Sequence, residues 1–427
     1  MIKKIIVIIT LFLNVISFAQ KSNTSAYSFY GIGETNKSIT ADQFSMGGIG
    51  ATLSDAYHIN LLNPAANTSL FFTTFSLGGE TRNISADDGV SKESASTTHL
   101  SYMAVGIPLG KGASFTFGLM PNTTVGYSLI SNDELNDDGD VVKGTLYEGN
   151  GGSNKVFFGF GYEVVKGLSV GVQGNYIFGD IENSILNENI TNSLATKYES
   201  NSSLNSFAVN TGFLYKKKIK NDLELSVGGN FELSNEIRAK GNEYLYSISR
   251  SSGVAKDTIL SEEGTGYIKN PLKTTVGVGL GKENKWYLGL DYAKQKPIEL
   301  EGTFFNSYTK VKYTDYSRIS LGGYYIPKMN SITSYWQRVT YRAGVKFENT
   351  GLMIDPSGSS SNFSEINDFG ISFGVGLPVS KQLSNLNFGF EFGKRGKAKN
   401  GLIQENYVNF RLGLSLNDKW FKKREIF

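Results

Sequence analysis

The sequence predicts an all-β fold, a transmembrane antiparallel up-and-down β-barrel of about fourteen strands with an N-terminal hatch in its lumen. Three observations lead there. From about Phe71 onward the dominant hydrophobic period is two, the period of strands with two unlike faces. The connections between alternating runs fall into two kinds, turn-like and longer polar ones, that mostly succeed each other in order. The composition, with 49 Gly, 8 Pro and 13% aromatic residues in 427, suits a thin wall with aromatic girdles better than two or three soluble domains.

Composition also excludes. Formal net charge is +3, and setting aside Lys3 and Lys4 of the leader leaves 40 basic against 39 acidic residues. That is no footprint for nucleic acid, which demands a clustered basic excess. The absence of Cys removes disulfide frameworks, thiolate zinc sites and cysteine nucleophiles, and two His argue against a His-rich metal site. No cofactor, metal or catalytic residue is expected.

Residues 1–19 read as a signal peptide. Lys3 and Lys4 form a positive n-region, and Ile5 to Phe18 is apolar apart from Thr10, Asn14 and Ser17. Ser17 and Ala19 place small residues where a signal peptidase inspects the chain. The run is too short for a spanning helix. Export without another such run leaves strands as the way to enter a membrane, and the outer membrane as the expected location.

Residues 71–416 carry the barrel. Leu223, Leu225, Val227, Gly229 and Phe231 alternate with Glu224, Ser226, Gly228, Asn230 and Glu232. Leu168, Val170, Val172, Gly174 and Tyr176 alternate with Ser169, Gly171, Gln173 and Asn175. Val339, Tyr341, Ala343, Val345 and Phe347 oppose Thr340, Arg342, Gly344 and Lys346. Strands are read near 71–82, 97–108, 113–130, 144–163, 167–182, 203–216, 222–248, 256–281, 285–305, 310–326, 337–349, 366–379, 385–396 and 403–416. Connections after even-numbered strands are mostly turns, such as 108–112, 165–167 and 282–284, while those after odd-numbered strands, such as 83–96, 131–143, 183–202 and 350–365, are polar loops. Short turns on one rim and long loops on the other is the layout of outer-membrane barrels; a soluble sandwich has no reason to sort its loops. Trp286 and Trp336 fall near strand ends, where interfacial aromatics belong.

Residues 20–70 do not alternate and read as the hatch. Met46, Gly47, Gly48, Ile49 and Gly50 permit tight turns and close backbone approach. Ala51 to Leu62 looks helical and would stop at Asn63-Pro64-Ala65. Glycine on the lumen face leaves room for such a segment. Glu224, Glu232, Asp291, Arg342, Lys346, Glu391 and Arg411, on the same face, are expected to pair with its backbone or with one another.

Met46, Gly47, Gly48 and Gly50, then Asp55, then Asn63, Pro64 and Ala65, all just before the first barrel strand, resemble the hatch of FadL-type outer-membrane proteins. That resemblance, extended over most of the chain by strand count and order, implies fourteen strands and uptake of long-chain fatty acids and other hydrophobic compounds. The pattern also resembles the PorV branch, which serves the type nine secretion system. The family's lateral exit lies at a kink in its third strand, and Pro121 with Asn122 falls in the third strand here. Pro121 fits a wall defect, since proline breaks a ladder bond, and equally a strand end. The chain departs from the pattern beyond Leu416: residues 417–427 form a basic, aromatic tail past the last strand, either a periplasmic contact surface or a frayed end.

Other motifs carry little. Gly167-Leu168-Ser169-Val170-Gly171 matches a nucleophile elbow in letters but opens a strand. Gly277, Gly279 and Gly281 lack the helix of a phosphate loop. Asp133 to Asp140 lacks the twelfth-position acid of an EF-hand. His99 and Ser101 share a face without an orienting acid, and His58 reads as a structural hatch residue. Two functions stand open. One is passive uptake of a hydrophobic small molecule through hatch and wall, by a barrel whose other partner is outer-membrane lipid. The other is an interaction subunit or plug of a secretion complex.

Overall fold

In the computed structural model, residues 25–419 are described, apart from 32, 111, 220–221, 303–310, 356–360, 380–383 and 400. The leader and the tail from 420 onward lie outside the described residues. A short ribbon, β1 (Glu34–Thr35), precedes the wall. Six uninterrupted wall strands follow: β2 (Thr73–Asp87), β3 (Lys92–Gly110), β4 (Ala113–Leu135), β5 (Val141–Val165), β6 (Leu168–Asn189) and β7 (Leu194–Lys218). Next come four wall strands in two pieces each: β8 (Leu223–Glu232) with β9 (Asn235–Ser249), β10 (Ala255–Asn270) with β11 (Lys273–Lys282), β12 (Trp286–Gln295) with β13 (Glu299–Gly302), and β14 (Val311–Tyr313) with β15 (Tyr316–Tyr325). The last four are β16 (Thr340–Ile354), β17 (Ser364–Pro378), β18 (Asn385–Gly396) and β19 (Gln404–Asp418). β19 pairs antiparallel with β2 from Asp418↔Thr73 to Gln404↔Asp87, which closes a 14-strand barrel. Closure at β19 and β2 leaves neither the first nor the last wall strand as an open edge.

The faces are inverted relative to a soluble protein. Val278 and Leu290 are 48% and 44% exposed on the outside, while Asn230 and Asp291 are 1% and 2% exposed within. Only a wall bathed in hydrocarbon makes that arrangement favourable.

Four expectations are corrected. The segments 83–96, 131–143 and 183–202 are mostly strand: the turns shrink to those between Asp87 and Lys92, Leu135 and Val141, and Asn189 and Leu194, while 350–354 and 364–365 extend their strands and 356–360 lie outside the described residues. β4 and β7 have 23 and 25 residues, more than twice the roughly 10 that a tilted strand needs to span a bilayer. Their polar upper parts pair in water, and polarity there had argued for loop. The eleventh wall strand begins at Thr340, not 337; Trp336–Arg338 is a 3₁₀ turn, and Val339 is fully buried rather than outward-facing. Ala51 to Leu62 is not helical, and Asn63 starts a 3₁₀ turn at Pro64–Ser69 instead of ending a helix, its side chain accepting the Ala65 N–H. Pro121 lies inside β4 and does not end it.

Candidate functional site: the lumen segment and a wall seam

Residues 25–72 pack on the inward face of the wall, held by their own asparagines. The Asn60 amide donates to the carbonyls of Gly50 and Leu53, at 2.7 Å each, and its oxygen accepts the N–H groups of Leu62 and Asn63. Asn67 and Asn60 exchange two bonds of 2.8 Å between side chain and backbone. Asn63 donates to Ala51 O at 2.7 Å and to Phe213 O of β7 at 3.0 Å. Such side chains replace a missing ladder or helix, which is why buried backbone survives here without either. Asn60 and Asn67 belong to no motif singled out in the sequence; the signal for them is the spacing of Asn60, Asn63 and Asn67.

Each residue of the predicted hatch pattern has a definite contact. Gly47, at φ +69°, donates to Ser372 Oγ at 2.7 Å. A Cβ on Gly344 or Gly322 would overlap the Met46 backbone, so wall and segment touch main chain to main chain there. Gly48 O accepts from Arg318 at 3.3 Å, and Gly50 donates to Asp291 Oδ2 at 2.7 Å, joined by the Ala51 N–H at 2.9 Å. Pro64 and Ala65 lie where a Cβ on Gly171 would stand. Asp55 accepts the N–H groups of Tyr57 and His58 and pairs with His58 Nδ1, all at 2.7 Å. Burial disfavours the charged imidazole, but the Asp55 carboxylate outweighs it and raises the His58 pKa. Burial likewise opposes the Asp55 charge, and the neighbouring His58 with the two N–H groups still holds its pKa down.

Of the predicted lumen charges, Asp291 meets segment backbone, and Arg411 bridges segment and wall, donating to Ile39 O and to Glu80 at 3.0 Å each. The others meet wall residues: Lys346 pairs with Glu391 at 2.8 Å, Glu232 with Lys273 at 3.2 Å, Glu224 with Lys216 at 4.0 Å, and Arg342 donates to Asn387 at 2.9 Å. Sequence reasoning missed Glu34, which takes Arg82 at 2.9 Å and Arg395 at 2.7 Å. Beneath the segment, at the short-turn rim, Asp42, Asp55, His58, Tyr324, Arg338 and Arg342 border a cavity of about 180 Å³.

The wall has a seam. β3 and β4 pair only between Met103–Gly110 and Ala113–Leu119, whereas β4 and β5 stay paired up to Leu135 and Val141. Above Met103 and Leu119 the two strands part, and Pro121 sits two residues past the last pair. The β4–β5 register slips between Pro121 and Thr123, so Asn122 bulges out of the ladder. Its carbonyl accepts the Asn36 N–H at 2.8 Å, and β1 pairs with Thr123 and Thr124. Opposite the bulge, Gly151 and Gly152 adopt φ +110° and +130°, which L side chains rarely adopt. The sequence signal was that Gly-Gly pair. Along the freed edge of β3, Thr97, His99 and Ser101 carry buried polar atoms without a hydrogen-bond partner. A cavity of about 1320 Å³ opens at the projecting rim between Glu93–Ser96 of β3 and Gly126–Ile130 of β4.

A family model described as BamG matches residues 1–426. The chain belongs to the BamG family. Among solved structures, this BamG-family chain is similar to the CymD monoaromatic hydrocarbon channel at 14% identity and TM-score 0.58, over 90% of this chain and 98% of that one. It is similar to the toluene transporter TbuX of Ralstonia pickettii at 14% and 0.57, over 89% and 98%. It is similar to a FadL homologue of Pseudomonas aeruginosa at 12% and 0.60, over 90% and 98%. The fold is therefore that of the FadL-type barrels. No curated protein matches the sequence.

Proposed function

We propose that this BamG-family barrel is a non-enzymatic outer-membrane channel for passive uptake of hydrophobic small molecules. A compound enters the large cavity on the extracellular side, lodges against residues 25–70, and leaves sideways through the seam between β3 and β4 into the membrane. The observation that carries this reading is the seam: a closed wall satisfies its ladder everywhere, and a barrel that leaves one pair of strands unzipped beside a cavity provides a lateral gate. Transfer is downhill and calls for no cofactor. The similarity in fold to hydrocarbon channels supports it. The test is uptake of toluene and of a fatty acid by a deletion strain complemented with the parent or with Ser101→Cys plus Pro121→Cys. Bridging the two cysteines with a short bismaleimide should abolish uptake, reversibly if the linker is cleavable. Uptake that persists with the seam bridged sinks the lateral path.

A second reading is favoured by one feature. The connection 326–339 is the long one on the short-turn rim, and it exposes Ile332 and Trp336. Such a patch suits an interaction subunit of a secretion complex. Stoichiometric co-purification that is lost in Ile332→Ser plus Trp336→Ser supports it; a lone monomer in gentle detergent refutes it.

A further inference from the structure

The cavity beside the seam is acidic. Asp88, Glu93, Glu148, Glu182 and Glu199 border it, and no Lys or Arg does. Glu199 is matched by Lys197 at 2.6 Å, but Glu93, Glu148 and Glu182 form no ion pair among the described residues. The surroundings have the same sign: residues 87–93, 127–150 and 180–205, the projecting parts of the first six wall strands, hold thirteen carboxylates against three lysines. Ala26, Ile84, Leu129, Ile130 and Ile403 supply an apolar surface between the acids. Thr97, His99 and Ser101, lower on the same strand edge as Ser96, hold buried polar atoms without partners, and hydroxyls and imidazole accept as readily as they donate.

A concave surface lined by one sign of charge focuses its field and concentrates ions of the other sign. A long-chain carboxylate entering this cavity meets five carboxylates in its lining and no lining cation to receive its head. We infer that the ligand is an apolar molecule with a cationic, amine-type head, with neutral compounds next and anionic amphiphiles such as fatty-acid carboxylates disfavoured. The ammonium sits among Glu93, Glu148 and Glu182, and the apolar body lies toward the seam. This rests on the uptake reading and narrows it to a class of compound.

The experiment is equilibrium binding of three chain-matched probes, decylammonium, decanol and decanoate, to the full-length barrel in zwitterionic nanodiscs, with empty nanodiscs as background. At low ionic strength decylammonium binds at least about tenfold more tightly than decanoate, with decanol between them. The gap closes in about 0.5 M salt, where screening is short-ranged, and in Glu93→Gln/Glu148→Gln/Glu182→Gln. Those substitutions are isosteric and exposed, and heat-modifiable migration on gels confirms that the variant is folded. Binding of all three probes with no order by charge, or an order unchanged in the triple variant, overturns the inference and leaves the uptake reading standing. No binding of any probe above empty nanodiscs overturns the uptake reading itself.

Discussion

Replacing Asp291 with Ala should loosen residues 46–53 while leaving the barrel intact. Asp291 on β12 receives two N–H groups, from Gly50 at 2.7 Å and Ala51 at 2.9 Å, in a site where it is 2% exposed. Its removal orphans both donors. A buried, unsatisfied N–H costs about 1–3 kcal/mol, so the pair amounts to about 2–4 kcal/mol once some relief from lumen water is allowed. That cost falls on the segment, because the ladder of β12 with β11 and β15 uses backbone groups that the substitution does not touch. At about 1.4 kcal/mol per tenfold, the segment should visit its released state about 30 to 700 times more often. Hydrogen exchange read by mass spectrometry on peptides covering 46–53 measures this directly, with peptides of β12 as the internal control. Asp291→Asn keeps one acceptor oxygen in place and should show a much smaller acceleration. If Asp291→Ala exchanges within threefold of the parent over 46–53, the carboxyl is not what fastens the segment and the reasoning fails.

Three further perturbations test other fastenings. Arg411→Ala leaves Glu80 buried and uncompensated and frees Ile39 O, so the urea midpoint should fall by an amount equivalent to about 3–5 kcal/mol; a change under 1 kcal/mol refutes the bridge. Gly344→Val drives a side chain into the Met46–Gly47 backbone at an overpacking cost of about 1–3 kcal/mol, and should raise single-channel conductance without altering heat-modifiable migration. For His58 and Asp55 the signs oppose each other. The raised imidazole gives stability that is whole below its usual 6.5 and is lost as pH climbs through the raised value. The lowered carboxylate gives stability present above its usual 3.8 and lost as pH falls through the lowered value. Protection of residues 53–60, corrected for intrinsic exchange, should thus be greatest between those limits and decline toward alkaline pH, and His58→Gln should flatten the alkaline limb.

The wall was legible in the sequence because its cause is local. Alternation of Leu288 and Leu290 with Gly289 and Asp291 fixes which face meets lipid, and one residue's slip would turn every side chain over. Strand length was less legible, because the outer ends of β4 and β7, residues 131–135 and 194–202, are mostly polar, and above the bilayer nothing forces a period on them. Residues 41–66 were recognisable as something other than strand, but their conformation was not. Gly47 and Ala65 are held against wall residues far along the chain, Ser372 and Gly171, and the three asparagines form their bonds only once that wall has set the path of the segment.

The seam shows the same division between local and non-local cause. Pro121 marks a break in β4 that any reading of the chain can find, yet a proline alone costs one ladder bond and is absorbed elsewhere by a bulge. What separates β3 from β4 over a whole upper half is cooperation. Asn122 bulges, Gly151 and Gly152 take conformations that let β5 follow the bend, and β1 occupies the edge of β4 at Thr123 and Thr124 that β3 would otherwise claim. Closing the seam would therefore require displacing β1, which ties any lateral gate to the position of the N-terminal segment. Deleting the β1 pairing by Glu34→Pro and Thr35→Pro should accordingly do two things at once: free the β4 edge and release Arg82 and Arg395 from Glu34. If β3 then zips onto β4, exchange of Thr97–Ser101 slows while that of residues 26–40 accelerates. Acceleration of both segments would show that the strands part for reasons of their own and that β1 merely fills the space.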